Sequence, residues 1–258
     1  MLITYTHPAL QATTVIPESD RHHAPSLALF DLDNTLLGGD SDYLWGQFLV
    51  ERGLVDRDRY EAANRRFYED YRHGRLDIRA FLRFALRPLS EHDPAQLETW
   101  RHEFLAEKIE PILLPAAQRL VACHRRRGDR LVVITATNAF VTGPIAARFG
   151  IDDLIATEPE FEEGRYTGDF VGIPCFQDGK VARLRQWLQR HDYDLRQATF
   201  YSDSHNDLPL LEQVGHPVAV DPDPTLADEA SRRGWPVLSL RRGPEPVRLE
   251  TSQALRIQ

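Results

Sequence analysis

A handful of side chains in this sequence have the types and spacing to do chemistry together: Asp31, Asp33, Thr135, Lys180, Asp203 and Asp207. Asp31 and Asp33 lie two apart, and in extended chain that spacing puts both carboxylates on one face. Such a pair repels, and both stay ionised only if a cation sits between them. Asp203 and Asp207 add two more negative charges. Oxygen-only ligands, and few of them, favour Mg²⁺ over zinc. Lys180 stands out by composition: of the 31 basic residues only Lys108 and Lys180 are lysines, so a generic cation in this chain is an arginine. A lysine here implies that a compact point charge is wanted. A lone aspartate is most often a turn or cap residue. The weight therefore rests on the set, in order, at places where a sheet would gather it.

Those places follow from the patterning. Leu27 to Phe30 is a short apolar run that breaks into Asp-Leu-Asp-Asn, as a buried strand with carboxylates at its C-terminal end would. From 41 to 112 the pattern is helical. Ser41 is placed to cap a first helix ended by Gly53, and Tyr60, Phe67 and Tyr71 mark a second closed by Gly74. A third runs from Asp77 and stops before Pro88, and Asp93-Pro94 starts a fourth. After Pro115 helices and strands alternate. The expected elements include a strand Leu131 to Thr135, a helix capped by Asn138 and a strand near Leu154 with a hairpin turn at Glu163-Gly164. A helix capped by Asp178 and a strand Thr199 to Ser202 follow. This alternation predicts an α/β fold, a doubly wound parallel sheet with an inserted helical cap. The expected division is a tail or arm over 1–25, a core over 26–40 and 113–242, the cap over 41–112, and a second tail over 243–258. Ligands in such sheets bind at the carboxyl ends of the strands, at a topological switch point. Residues 30–37, 132–138 and 201–211 fall at those ends.

Composition excludes several classes. Acidic residues outnumber basic ones 39 to 31, a net charge of −8, which argues against a general nucleic-acid binder. The longest strongly apolar run, Leu131 to Ile134, is far short of the roughly 20 residues that span a bilayer. No secretory signal pattern opens the sequence. Cys123 and Cys175 form no framework and read as reduced, buried thiols. A cytoplasmic protein with neither membrane nor nucleic-acid partners is expected; its oligomeric state is not set. His22-His23 reads as solvated, and Arg125 to Arg127 as cations suited to a helix end.

The motifs resemble those of the haloacid dehalogenase-like hydrolase superfamily, in the branch that includes phosphoserine phosphatase. Asp31-Leu32-Asp33-Asn34-Thr35 is similar to the DxDxT signature, Thr135 to the hydroxyl after the second strand, Lys180 to the lysine motif, and Asp203 to Asp207 to the DxxxD acidic motif. The resemblance spans roughly residues 27 to 220 and implies a Rossmann-like core acting on a small phosphorylated metabolite. It implies that Asp31 attacks phosphorus and that Asp33 is the general acid and then the base. Thr135, the backbone at Ala136 and Lys180 would hold phosphate, with Asn206 reaching it. Mg²⁺ would sit on Asp31, the Asp33 carbonyl and Asp203, with Asp207 orienting that shell. Asp40, nine residues after the nucleophile, would either contact a substrate ammonium or simply cap the first helix. His205 would contact substrate or fill space. The stretch from Gly38 to Leu49 resembles histidinol-phosphate phosphatases more than phosphoserine phosphatases. A phosphotransferase or mutase, and an idle phospho-ligand binder, stand as alternatives.

Overall fold

The structure is a computed structural model and describes residues 26–249 of the 258-residue chain. The tail expected over 1–25, with its histidine pair, lies outside the described residues. Eight strands form one sheet in the order β4-β3-β2-β1-β5-β6-β7-β8: β1 Leu27–Phe30, β2 Arg130–Asn138, β3 Asp153–Glu162, β4 Arg165–Val171, β5 Thr199–Ser202, β6 His216–Val220, β7 Val237–Ser239 and β8 Val247–Leu249. All neighbours pair in parallel except β4 on β3 and β8 on β7, which are antiparallel. The first of the described strands lies in the middle. Successive strands leave it in one direction to β2 and β3, then in the other to β5, β6 and β7, so the switch point lies beside β1.

The sheet is covered on both faces, as its strands require. Ala28 and Phe30 point into one apolar layer with the helices α5 (Pro115–Arg126) and α6 (Ala139–Arg148). Leu27 and Leu29 point into the other, with α7 (Asp178–Leu188), α8 (Leu208–Leu211) and α9 (Pro224–Arg233). That alternation is the period-2 geometry of a strand read out on two cores.

Between β1 and α5 the chain is helical throughout, as α1 Ser41–Glu51, α2 Arg57–Arg72, α3 Ile78–Ser90 and α4 Pro94–Phe104, then one π and one 3-10 turn to Ile112. The base of this segment is closed where Leu37 bridges Leu113 and the Gly38 N–H donates to the Ile112 carbonyl at 2.8 Å. Trp45, Phe48 and Leu49 of α1 and Phe104 of α4 join the same apolar layer as Phe30.

Several boundaries differ from the sequence expectation. Asp40, not Ser41, caps α1, its carboxylate accepting the Tyr43 N–H at 2.9 Å. The α3 helix runs through Pro88 to Ser90, because a proline in the last turn removes one backbone donor without ending the helix. Asp178 is the first residue of α7 rather than its cap, which is Gln177 at φ 48°. The second strand extends three residues beyond Thr135, to Asn138. Residues 247–249, expected in a tail, add the edge strand β8. Cys175 is buried as expected, but Cys123 is only partly so.

Candidate active site

The parallel register sets the C-terminal ends of β1, β2 and β5 side by side, with Phe30 paired to Val133 on one side and Tyr201 on the other. Asp31, the next residue, is tied to the central ladder through its N–H, which donates to the Tyr201 carbonyl at 2.9 Å. The carboxylates and Lys180 therefore meet on one level although they lie far apart in sequence.

At the centre, the Lys180 ammonium donates to Asp31 Oδ1 and to the Asp207 carboxylate, each at 2.8 Å, and is 3% exposed. Burial opposes that charge, but Asp207 and Asp31 more than offset it and hold the ammonium protonated. Asp207 is fixed in turn by the Ser202 hydroxyl at 2.7 Å. Burial pushes Asp31 up to about 7 in spite of Lys180, with Asp207 and Asp33 adding to the rise. Asp33 is held apart from this cluster by its own donors. Its Oδ1 accepts the Ser41 N–H at 2.7 Å, and its Oδ2 accepts the Thr137 hydroxyl at 2.8 Å, with Thr135 farther off at 3.4 Å. Burial lifts Asp33 to about 6. Two neighbouring acids in separate environments can divide the roles of nucleophile and proton carrier.

Thr35 shows where a cation fits. Its buried hydroxyl lies 3.1 Å from both Asp31 Oδ2 and Asp203 Oδ1 while accepting the Asp203 N–H. A hydroxyl carries one proton, so it serves one of these carboxylates at a time. Burial and the fields of Asp31 and Asp207 raise Asp203 well above the ordinary carboxylate range. Two converging, desolvated carboxylates are the hard oxygen donors that Mg²⁺ takes while keeping several waters. Among the described residues no group of three or more His, Cys, Asp or Glu side chains could hold a metal. A third protein ligand would then be another oxygen, such as the Asp33 carbonyl that the resemblance implies. The carboxylates of Asp33 and Asp207 are engaged with Ser41, Thr137, Lys180 and Ser202.

Over this floor lies a cleft, partly open to solvent. Asp31, Asp33, Thr135, Ala136, Thr137, Lys180, Asn206 and Asp207 form its base, and its roof is aromatic, from Tyr43 of α1 to Tyr71 of α2 and Phe81 of α3. Asp40 lines it while capping α1. Asn206, expected on phosphate, spends its amide elsewhere: it accepts from Gln177 at 2.9 Å and donates to the Tyr71 carbonyl at 3.3 Å, binding the acidic loop to α2. His205 does not line the cleft. It pairs with Asp223 at 2.7 Å and faces Gly74, in keeping with the space-filling one of the two expectations. Thr137 was missed, although it lies two residues from Thr135 on the same strand face, the spacing that singled out Asp31 and Asp33. Arg241 was missed as well; it donates to the carbonyl of Asn34, which stands at φ 59° between Asp33 and Thr35. No sequence signal pointed to it.

Comparison with known proteins agrees with this geometry. The haloacid dehalogenase-like hydrolase family matches over residues 28–212. The chain is 47% identical over 220 residues to the histidinol-phosphatase of Neisseria meningitidis serogroup C (strain 8013), covering 84% of this chain and 99% of that one. A Bordetella pertussis Tohama I protein of unknown function superposes with a TM-score of 0.80 at 44% identity, covering 84% of this chain and 100% of the other. A substrate-bound phosphoserine phosphatase superposes with a TM-score of 0.60 over 80% of this chain and 91% of its own, at 19% identity, and shares the fold.

Proposed function

The chain belongs to the haloacid dehalogenase-like hydrolases, among their phosphatases, and we propose that it hydrolyses histidinol phosphate through an aspartyl-phosphate on Asp31. The juxtaposition of Asp31, Lys180 and Asp33 beneath the cleft supports turnover over mere ligand holding. The Asp31 carboxylate attacks phosphorus while the Lys180 ammonium, 2.8 Å away, offsets the charge gathering on the transferred group. Asp33 delivers a proton to the leaving alkoxide and afterwards takes one from the water that frees phosphate. Thr137, Thr135 and the Ser41 N–H aim that carboxyl. The Thr135 hydroxyl and the backbone at Ala136 line the phosphate side. Mg²⁺, held by Asp31, Asp203 and the Asp33 carbonyl, would screen the anionic nucleophile from its anionic substrate. The helical segment 41–112 acts as the cap that keeps bulk water and large substrates out.

The cleft also bears on the choice of alcohol. Lys180 is the one basic side chain among the described residues lining it, and that ammonium is already shared between Asp31 and Asp207. A substrate carboxylate, as in phosphoserine, would find no cation there and would face Asp40 and Asp42. An amino-alcohol phosphate without a carboxylate avoids that repulsion, which favours histidinol phosphate and agrees with the Neisseria relative.

Phosphate release from histidinol phosphate, phosphoserine and p-nitrophenyl phosphate, before and after chelation and Mg²⁺ replacement, tests this reading. Histidinol phosphate is expected to exceed phosphoserine by at least about tenfold in kcat/KM, a difference of about 1.4 kcal/mol. Chelation should abolish turnover and Mg²⁺ restore it. Equal or better use of phosphoserine would overturn the substrate, and no Mg²⁺-dependent release from any ester would overturn the reaction.

A further inference from the structure

The aromatic roof of the cleft contains one carboxylate that the reaction does not use. Asp42, in the first turn of α1, lines the cleft together with its neighbour Tyr43 and with Asn64, Phe67, Tyr68 and Tyr71 of α2. The other lining acids are engaged within the protein. Asp31 and Asp207 hold Lys180, Asp33 accepts from Ser41 and Thr137, and Asp40 accepts the Tyr43 N–H. Among the described residues no such partner is found for Asp42, and the charged groups acting on it, Asp40 and Asp33, are both of its own sign. Its field reaches Tyr60, at the back of the α1–α2 contact. That wall is tightly packed, because a Cβ on Gly46 would lie 2.7 Å from the Tyr60 ring.

A carboxylate facing aromatic rings and like charges is poorly solvated, and a cation that enters relieves it. The rings add to the preference. Tyr43 and Tyr68 lie 6.0 Å apart at 49°, an open V rather than a closed stack, with Tyr68 at the solvent-exposed edge. Aromatic faces attract cations and pack against flat rings. A neutral alcohol in the same place would leave Asp42 desolvated and unpaired, which is how a polar pocket rejects an analogue lacking the matching group.

We propose that Asp42, with Tyr43 and Tyr68, forms a second recognition subsite for a flat, protonatable nitrogen heterocycle at the end of the substrate remote from the phosphate. This rests on the phosphatase reading above and names the residue that selects within it. Asp42 thus sets specificity by contact with the substrate, while the floor sets the chemistry.

The test compares unmutated enzyme, Asp42→Asn and Asp42→Glu on histidinol phosphate, phosphoethanolamine and p-nitrophenyl phosphate, with thermal melts to confirm folding. The quantity read is the ratio of kcat/KM for histidinol phosphate to that for p-nitrophenyl phosphate. Asp42→Asn should lower this ratio about 10- to 100-fold, mainly through KM, the range of one charged hydrogen bond. The fall should be smaller for phosphoethanolamine, which has an ammonium but no ring, and Asp42→Glu should keep most of the ratio. A ratio within about twofold of the parent in Asp42→Asn, or equal falls for both amines, would overturn the subsite and leave Asp42 as a first-turn helix charge. A readout without variants uses the alcohol products: histidinol should inhibit p-nitrophenyl phosphate hydrolysis at least tenfold more strongly than ethanolamine, and equal inhibition would count against the proposal. If the enzyme prefers another amine phosphate, the histidinol phosphate assignment fails while Asp42 is judged by the same ratio on that ester. If it shows no preference for cationic esters, the subsite itself fails.

Discussion

The floor and the roof of the cleft are built on opposite plans. On the floor Asp31, Asp33, Asp207 and Lys180 are fixed by short hydrogen bonds, from 2.7 Å for Ser202 on Asp207 to 3.1 Å for Thr35 on Asp31, and Asp31, Lys180 and Thr35 are buried. The roof is held by ring contacts: Tyr60 and Phe67 pack on Phe84, and Tyr71 on Phe176. Of the residues of α2 only Tyr60 and Phe67 are buried. Two hydrogen bonds join α2 to the acidic loop below, from the Tyr71 hydroxyl to Ser204 and from Asn206 to the Tyr71 carbonyl. Few buried contacts and exposed backbone mark the part of a protein that opens first. On the reading proposed above, chemistry would fall to the tightly bonded half and admission of substrate to the more loosely held one.

The contrast is sharpest at the nucleophile. Asp31→Asn removes the attacking anion and relieves carboxylate crowding, so kcat should fall by at least about 10⁴ while the melting temperature stays within a few degrees. Losses of that order follow removal of one member of a catalytic unit, and phosphate release with calorimetry checks both halves. Activity within about tenfold of the parent would remove Asp31 from its role.

Thr137→Val tests whether fine support of the floor matters as much as its charges. Asp33 loses its 2.8 Å hydroxyl donor, and a charged hydrogen bond of about 1.5–3 kcal/mol corresponds to a drop in kcat of about 10- to 150-fold. Steady-state kinetics with KM little changed is the expected result; a loss confined to KM would assign Thr137 to binding instead.

The smallest effect belongs to the roof. Tyr71→Phe deletes one neutral hydrogen bond at 3.2 Å to Ser204, a contribution of about 0.5–1.5 kcal/mol, or about two- to tenfold in kcat/KM. A loss rivalling that of Asp31→Asn would mean that the two halves do not work separately.

What could be read in advance follows the same division. The floor was legible because strand periodicity and turn chemistry place Asp31, Asp33, Thr135 and Asp203 on neighbouring strand ends whatever packs above them. The roof was not. Helical spacing shows that Tyr60, Phe67 and Tyr71 share a face, but not that Tyr71 looks into the site while Tyr60 backs α1. Caps were misplaced by one residue: Asp40 takes the N–H that adjacent Ser41 was expected to cap, and α7 begins at Asp178 after Gln177, whose side chain makes no cap bond. Strand β8 escaped notice because three edge residues carry no periodicity.

The position of β1 has a consequence for synthesis. This apolar strand is made first, yet its partners begin only at Arg130 and Thr199, the latter leaving the ribosome on the order of ten seconds later at cellular translation rates. Until then Leu27 to Phe30 offer two open hydrogen-bonding edges and two greasy faces, a template for pairing with a wrong chain. Helices α1 to α4 emerge in the interval and are closed by local contacts, so they can form early. Trp45, Phe48 and Phe104, which end in the same layer as Phe30, are then available to shelter the strand before the rest of its sheet arrives.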